Sequence, residues 1–176
     1  MRYSLQEIIL GTLKTIVLLI VVEIFSSAIL PAMGILDFKP AFNVLIILYL
    51  AFKFEAPILP FLIFLFQYVH SAFSIEGWAT GTLAGILVSV SVKYVKDMLN
   101  FSTAISTIVV VQIFQIAWFI IVAIILSLKL GDFSHFIGIF LKYLPESLFL
   151  SLVSHLFFKL LDRFWKLERQ SSGVAY

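Results

Sequence analysis

Glu23 is the residue with the most evident chemical potential in this sequence. It stands in Ile20-Val21-Val22-Glu23-Ile24-Phe25, with no other charged residue between Lys14 and Asp37. A charge held at membrane depth costs at least ~2.5 kcal/mol unless it is paired or neutralised. Such a carboxylate suits cation binding, proton relay or contact with a partner helix. One carboxylate makes no pathway, however. The favoured reading is a neutral side chain near one end of its helix, hydrogen-bonded to a neighbour. His70 and His155 are the other intramembrane candidates, alongside Asn43, Gln67, Gln112, Gln115, Ser151 and Ser154. The two histidines lack metal-ligand spacing of the H-E-x-x-H kind. They read as interhelical hydrogen-bonding groups, each such bond contributing about 0.6 kcal/mol on average.

Two further patterns concern packing and anchoring. Gly77, Gly81 and Gly85 recur every fourth residue and Ser89 extends the line. This doubled G-x-x-x-G strips side chains from one helix face, so that a second backbone can approach closely. The neighbour is expected within the bundle; a partner chain is the other possibility. Lys159, Arg163, Lys166 and Arg169 close the last apolar segment. They read first as a topology anchor. They also suit anionic lipid or a cytoplasmic partner, each charge contributing about 1 kcal/mol beside such a surface. Nothing in the chain resembles a nucleophile elbow, a P-loop, a dinucleotide fingerprint or paired catalytic acids. The absence of cysteine removes Cys-based metal and redox sites. No enzyme activity and no cofactor are expected.

The elements that must position these residues are membrane helices. Of the 176 residues, 62% are apolar and 12% charged, against about 25% charged in an ordinary soluble domain. Mean hydropathy is +1.12. There is too little polar surface to coat a globule in water, so lipid must be the solvent for the rest. The net charge of +2 is too small to point to a nucleic-acid partner. About 20 apolar residues cross the hydrocarbon core as a helix. On that basis the sequence predicts one transmembrane domain over residues 1–176, with helices at about 10–30, 40–52, 58–73, 78–95, 104–128 and 144–161. Pro31 is expected to stop the first helix. Lys53-Phe54-Glu55-Ala56-Pro57 separates the second from the third, because proline disfavours helix at the residue before it. Lys129 to Tyr143 is expected to be a mixed loop. The first segment has no small-residue cleavage site and reads as a retained helix. A barrel is excluded because Val17-Leu18-Leu19-Ile20-Val21-Val22 does not alternate.

Charge selects the six-helix arrangement over one that fuses the second and third segments. With six helices and the N-terminus inside, only Lys39, Lys129 and Lys142 of the 12 Lys and Arg residues fall outside, as the positive-inside rule asks. Fusion would send Lys93, Lys96 and the basic tail outward. Both termini, and the tail over 162–176, are therefore expected in the cytoplasm.

Two stretches resemble the MreD family of bacterial rod shape-determining membrane proteins. The first is Leu144-Pro145-Glu146-Ser147-Leu148-Phe149-Leu150-Ser151-Leu152-Val153, continuing through Phe157-Phe158-Lys159-Leu160-Leu161-Asp162-Arg163. It is similar to that family's closing pattern of Leu-Pro, an apolar helix with small residues, and a Leu-Leu-Asp-Arg end. The second is Pro40 followed by Leu45-Ile46-Ile47-Leu48-Tyr49-Leu50-Ala51, similar to the family's second helix. The third helix departs from the pattern. His70 stands where the family often has Asp, and Phe66 or Gln67 where it has Gly, so a role for that Asp does not transfer.

The resemblance implies an all-α six-helix bundle, related in fold to the substrate-binding subunits of energy-coupling-factor transporters. It implies a non-catalytic scaffold in the bacterial inner membrane, binding MreC and through it influencing RodA with its transpeptidase and the actin-like MreB. The alternative is a vitamin- or solute-binding transporter subunit. That role would need polar and aromatic groups converging near the outer face, for which Trp78, Glu76, His70, Asn43 and Glu23 are the candidates. Against it, the first helix has no Ala-x-x-x-Ala pattern for docking an energising subunit.

Overall fold

A computed structural model of the chain describes residues 5–35, 38–54, 57–74, 77–95, 103–131, 133 and 136–165. All regular structure among the described residues is helical. We label the helices α1 (Leu5–Ala32), α2 (Phe42–Lys53), α3 (Leu59–Ser71), α4 (Trp78–Val95), α5 (Ala104–Leu130) and α6 (Phe136–Phe164). Four of them, α1, α4, α5 and α6, are long and apolar enough to cross a membrane. The other two are apolar but have 12 and 13 residues, about 18–20 Å at 1.5 Å per residue.

Two boundaries differ from those expected. The first helix begins at Leu5 and not near residue 10. The sixth begins at Phe136 and not at Leu144, so the second half of the expected Lys129–Tyr143 loop is helix and Pro145 lies inside α6. Proline is tolerated inside long apolar helices because neighbouring helices and hydroxyl side chains satisfy the freed backbone groups. Two residues on, Ser147 Oγ donates to the Leu144 carbonyl (2.9 Å) and accepts from Gln112 Nε2 of α5 (3.1 Å), which holds α6 against α5 beside the proline.

Proline shapes α1 in a different way. Pro31 has no N–H to offer the Ser27 carbonyl, and its ring crowds that turn. The preceding residues, Phe25–Ile29, widen into a π-helix, in which the Leu30 N–H reaches back to the Phe25 carbonyl. The helix then runs only to Ala32.

α2 is the centre of the molecule. Every residue from Val44 to Leu50 is at most 1% exposed. A helix that is apolar on all sides belongs inside a bundle, and α2 packs against each of the other five helices. Being covered by protein, it needs no match to bilayer thickness. The irregular residues Phe38 to Ala41 lead into it, and irregular backbone packed among apolar helices needs protein groups to satisfy it. The buried carboxylate of Glu146 does so here, accepting the Lys39 N–H at 3.2 Å.

The helix ends divide the cations. Lys53, Lys93 and Arg163 occupy the last turns of α2, α4 and α6; we call this the basic end. At that end Asp162 accepts from Tyr49 Oη (2.9 Å) and pairs with Lys53 (3.4 Å). Trp165 Nε1 donates to Thr15 Oγ1 (3.1 Å), and the indole lies against Gly11, where a Cβ would stand 2.7 Å from the ring. These contacts tie α1 and α2 to the end of α6. We expect Tyr49→Phe to lower stability by about 1 kcal/mol, the net value of one buried hydrogen bond. Asp162→Ala should cost more, because it strands both the phenol and the ammonium. Thermal unfolding in one detergent checks the order.

Candidate functional site

At the opposite end, α1, α2, α3 and α6 bring the buried polar residues Glu23, Asn43, Gln67, His70 and Glu146 together. Glu23 is 2% exposed and its Oε1 lies 2.6 Å from Nδ1 of His70. The contact needs one proton between ring nitrogen and carboxylate oxygen. Glu23 therefore has its hydrogen-bond partner on a neighbouring helix. Next to it, Asn43 Nδ2 donates to Gln67 Oε1 at 3.3 Å, leaving Asn43 Oδ1 and Gln67 Nε2 buried without partners among the described residues. Lys39 donates from Nζ to the Phe73 carbonyl, closing the end of α3 onto the entry to α2. Lys129 at the end of α5 donates to Thr80 Oγ1 on α4.

These groups surround a cavity of about 50 Å³, lined by Glu23, Lys39, Asn43, His70, Tyr143 and Glu146 with Trp118 and Phe119 at one wall. That space suits a few waters at roughly 10–15 Å³ each. A pocket that encloses an organic ligand is typically about 300–1,000 Å³. The lining offers carboxylate, imidazole, amide and ammonium groups, but most of them already face one another. Such a site can hold water or a proton between its groups without substrate-sized space.

The other sequence-flagged residues fall elsewhere. His155 is far from the Glu23–His70 pair. It lines a recess toward the basic end with Lys53, Lys159 and Asp162. Arg163 ends α6, whereas Lys166 and Arg169, like most of the tail, lie outside the described residues. Gly81 and Gly85 face the chain's own helices: a Cβ on Gly81 would stand 2.6 Å from Gln67 Cδ, and one on Gly85 2.7 Å from Ile63 Cγ2. Ser89, also buried, donates to the Ile86 carbonyl at 2.8 Å. Gly77 is not on this face. It precedes α4 with φ of +77° and open space around it. Trp78 is 47% exposed and packs edge-on against Phe64, outside the cavity lining, and Glu76 lies outside the described residues. Glu146 was not singled out in the sequence. Its signal was a charge beside Pro145, which reads as a helix start when taken alone.

Fold and site together define an apolar helical bundle with a self-paired polar cluster at one end. Comparison with family models, with curated proteins and with solved structures finds no match to this chain.

Proposed function

We propose that this chain is a non-catalytic membrane scaffold of the MreD type, a component of the complex that directs lateral peptidoglycan synthesis in rod-shaped bacteria. The observation that carries this reading is the lack of substrate-sized space at the polar cluster, beside a fully packed central helix. α2 is sealed on every side, and the polar cavity holds only about 50 Å³. A scaffold needs a rigid packed body and no substrate chamber. A second support is that the two stretches resembling MreD meet in space. Tyr49 donates to Asp162 at 2.9 Å, and the Tyr49 and Phe158 rings pack edge to face at 5.4 Å.

In this reading all six helices count as spans, α2 and α3 being lengthened by their flanking residues. The basic end and both termini face the cytoplasm of the inner membrane. MreC is the direct partner, with RodA, its transpeptidase and MreB reached through the assembly. The solute-binding alternative draws on one observation, the convergence of Glu23, His70 and Asn43 on a single cavity. Depletion in the native cell separates the two. Rods should become round, and the tagged protein should co-purify with MreC. Unchanged shape with lost vitamin uptake would overturn the scaffold reading in favour of the transporter subunit.

A further inference from the structure

The recess at the basic end is larger than the cavity at the other end and has a different character. It is an open recess of about 320 Å³, lined by Phe52 and Lys53 of α2, Thr107 of α5, and His155, Phe158, Lys159 and Asp162 of α6. The four α6 residues follow one helix face, at spacings of three and four. Lys53 and Lys159 against Asp162 leave a formal charge of +1 with His155 neutral. Asp162 is already engaged by Lys53 and Tyr49. Lys159 and His155 have no hydrogen-bond or ion-pair partner among the described residues. The walls between them are aromatic. Beside His155 and one turn before it on α6, leading away from the basic end, Leu156 and Leu152 are 68% and 67% exposed.

We propose that this recess binds the phosphodiester headgroup of an anionic phospholipid, with Lys159 and His155 facing the phosphate and an acyl chain following Leu156 and Leu152. An unpaired lysine beside a histidine, set against aromatic walls and next to an apolar track along α6, complements a molecule that is anionic at its head and apolar along its length. A zwitterionic lipid brings its own cation and gains less. A soluble anion would leave the aromatic walls and the leucine track without a partner. The assignment is independent of the scaffold reading, since it needs only that these helices lie in a membrane.

The test uses the full chain, purified in detergent and reconstituted into phosphatidylcholine nanodiscs doped with phosphatidylglycerol, with bound lipid counted by native mass spectrometry. Each lysine beside an anionic lipid contributes a factor of about five in affinity, the equivalent of ~1 kcal/mol. Retention of phosphatidylglycerol over phosphatidylcholine should therefore be about fivefold or more. Lys159→Gln should reduce that preference about fivefold, and His155→Gln should reduce it further when added. Lys93→Gln, at an exposed cation on α4 at the same end, should change it less than twofold. Lys159 is exposed, so its variant should unfold at the wild-type temperature in phosphatidylcholine alone. Equal retention of the two lipids, or equal effects of the Lys159 and Lys93 variants, would overturn the proposal. Displacement of the lipid by inorganic phosphate at matched concentration would overturn it too, assigning the recess to a soluble anion.

Discussion

Gly85→Leu should leave little folded protein. Gly85 sits where α4 touches α3 and α5 at once. Even a single added carbon would stand 2.7 Å from Ile63 Cγ2 and 3.1 Å from Trp118 Cη2. Ile63 is fully buried and Trp118 is 2% exposed, so neither has space to retreat into. The clashing Ile63 atom is a branch at Cβ, held by the one χ1 rotamer a helix strongly prefers for isoleucine, and is not the swinging end of a long chain. Overpacking by one carbon in such a place costs about 1–3 kcal/mol, the value expected for Gly85→Ala. Leucine adds three more carbons against a total stability of about 5–15 kcal/mol. Removing the obstacle should help. Ile63→Ala combined with Gly85→Ala should destabilise less than the sum of the two, because each vacates or fills the same space. Two glycines serve as controls. Gly138→Ala meets open space in a helix and should be neutral or stabilising by up to ~1 kcal/mol. Gly77→Ala should lose about 1 kcal/mol from its left-handed backbone without any clash. Folding assayed by reversible denaturant titration in mixed micelles orders the series. A Gly85→Leu protein with wild-type stability would show that α4 does not pack here as described.

The glycine stripe illustrates what was legible in the sequence and what was not. A period of four identified a helix face stripped of side chains, and Gly81 and Gly85 do meet neighbouring helices closely. Letter spacing carries no backbone angle, so Gly77 was counted on the face although it turns the chain before α4. The six apolar segments were legible because charges and prolines punctuate them. The start of α6 was not, because Pro145, Lys142 and Gly138 together imitate a loop, and only the surrounding helices make a mid-helix proline tolerable. α1 begins at Leu5 because its first turn carries Gln6 and Glu7, which hydropathy alone reads as outside. Glu23 and His70 were each recognisable as polar groups at membrane depth. Their pairing was not, since 47 residues separate them and no spacing rule announces that α1 packs on α3. Glu146 and Asn43 are harder still. Their importance comes from the unpaired backbone and amide atoms beside them, which exist only once the chain is folded.

The Glu23–His70 contact gives the other large expected effect. Glu23→Ala should destabilise the bundle by about 2–4 kcal/mol. It removes a carboxylate 2.6 Å from a ring that is itself buried, and a buried polar group left without its partner costs about 1–3 kcal/mol, more when charged. The average interhelical hydrogen bond in a membrane contributes only about 0.6 kcal/mol, because the separated helices find other partners. A short contact between two buried side chains has fewer such substitutes, so the cost of leaving the buried partner unpaired should win. Glu23→Gln keeps an acceptor within reach of the imidazole and should cost less than the alanine variant. Glu23→Leu with His70→Leu removes both partners together, and replacing a buried pair with apolar groups is often neutral or stabilising. The double variant should therefore be more stable than either single leucine variant, with a coupling of at least about 1 kcal/mol in the cycle. Additive single effects would show that the two side chains do not depend on each other. The same double variant also tests function. On the scaffold reading proposed above, a double variant that folds and restores rod shape to depleted cells assigns the pair to the packing of α1 on α3; one that folds and fails gives the pair a use that packing does not explain.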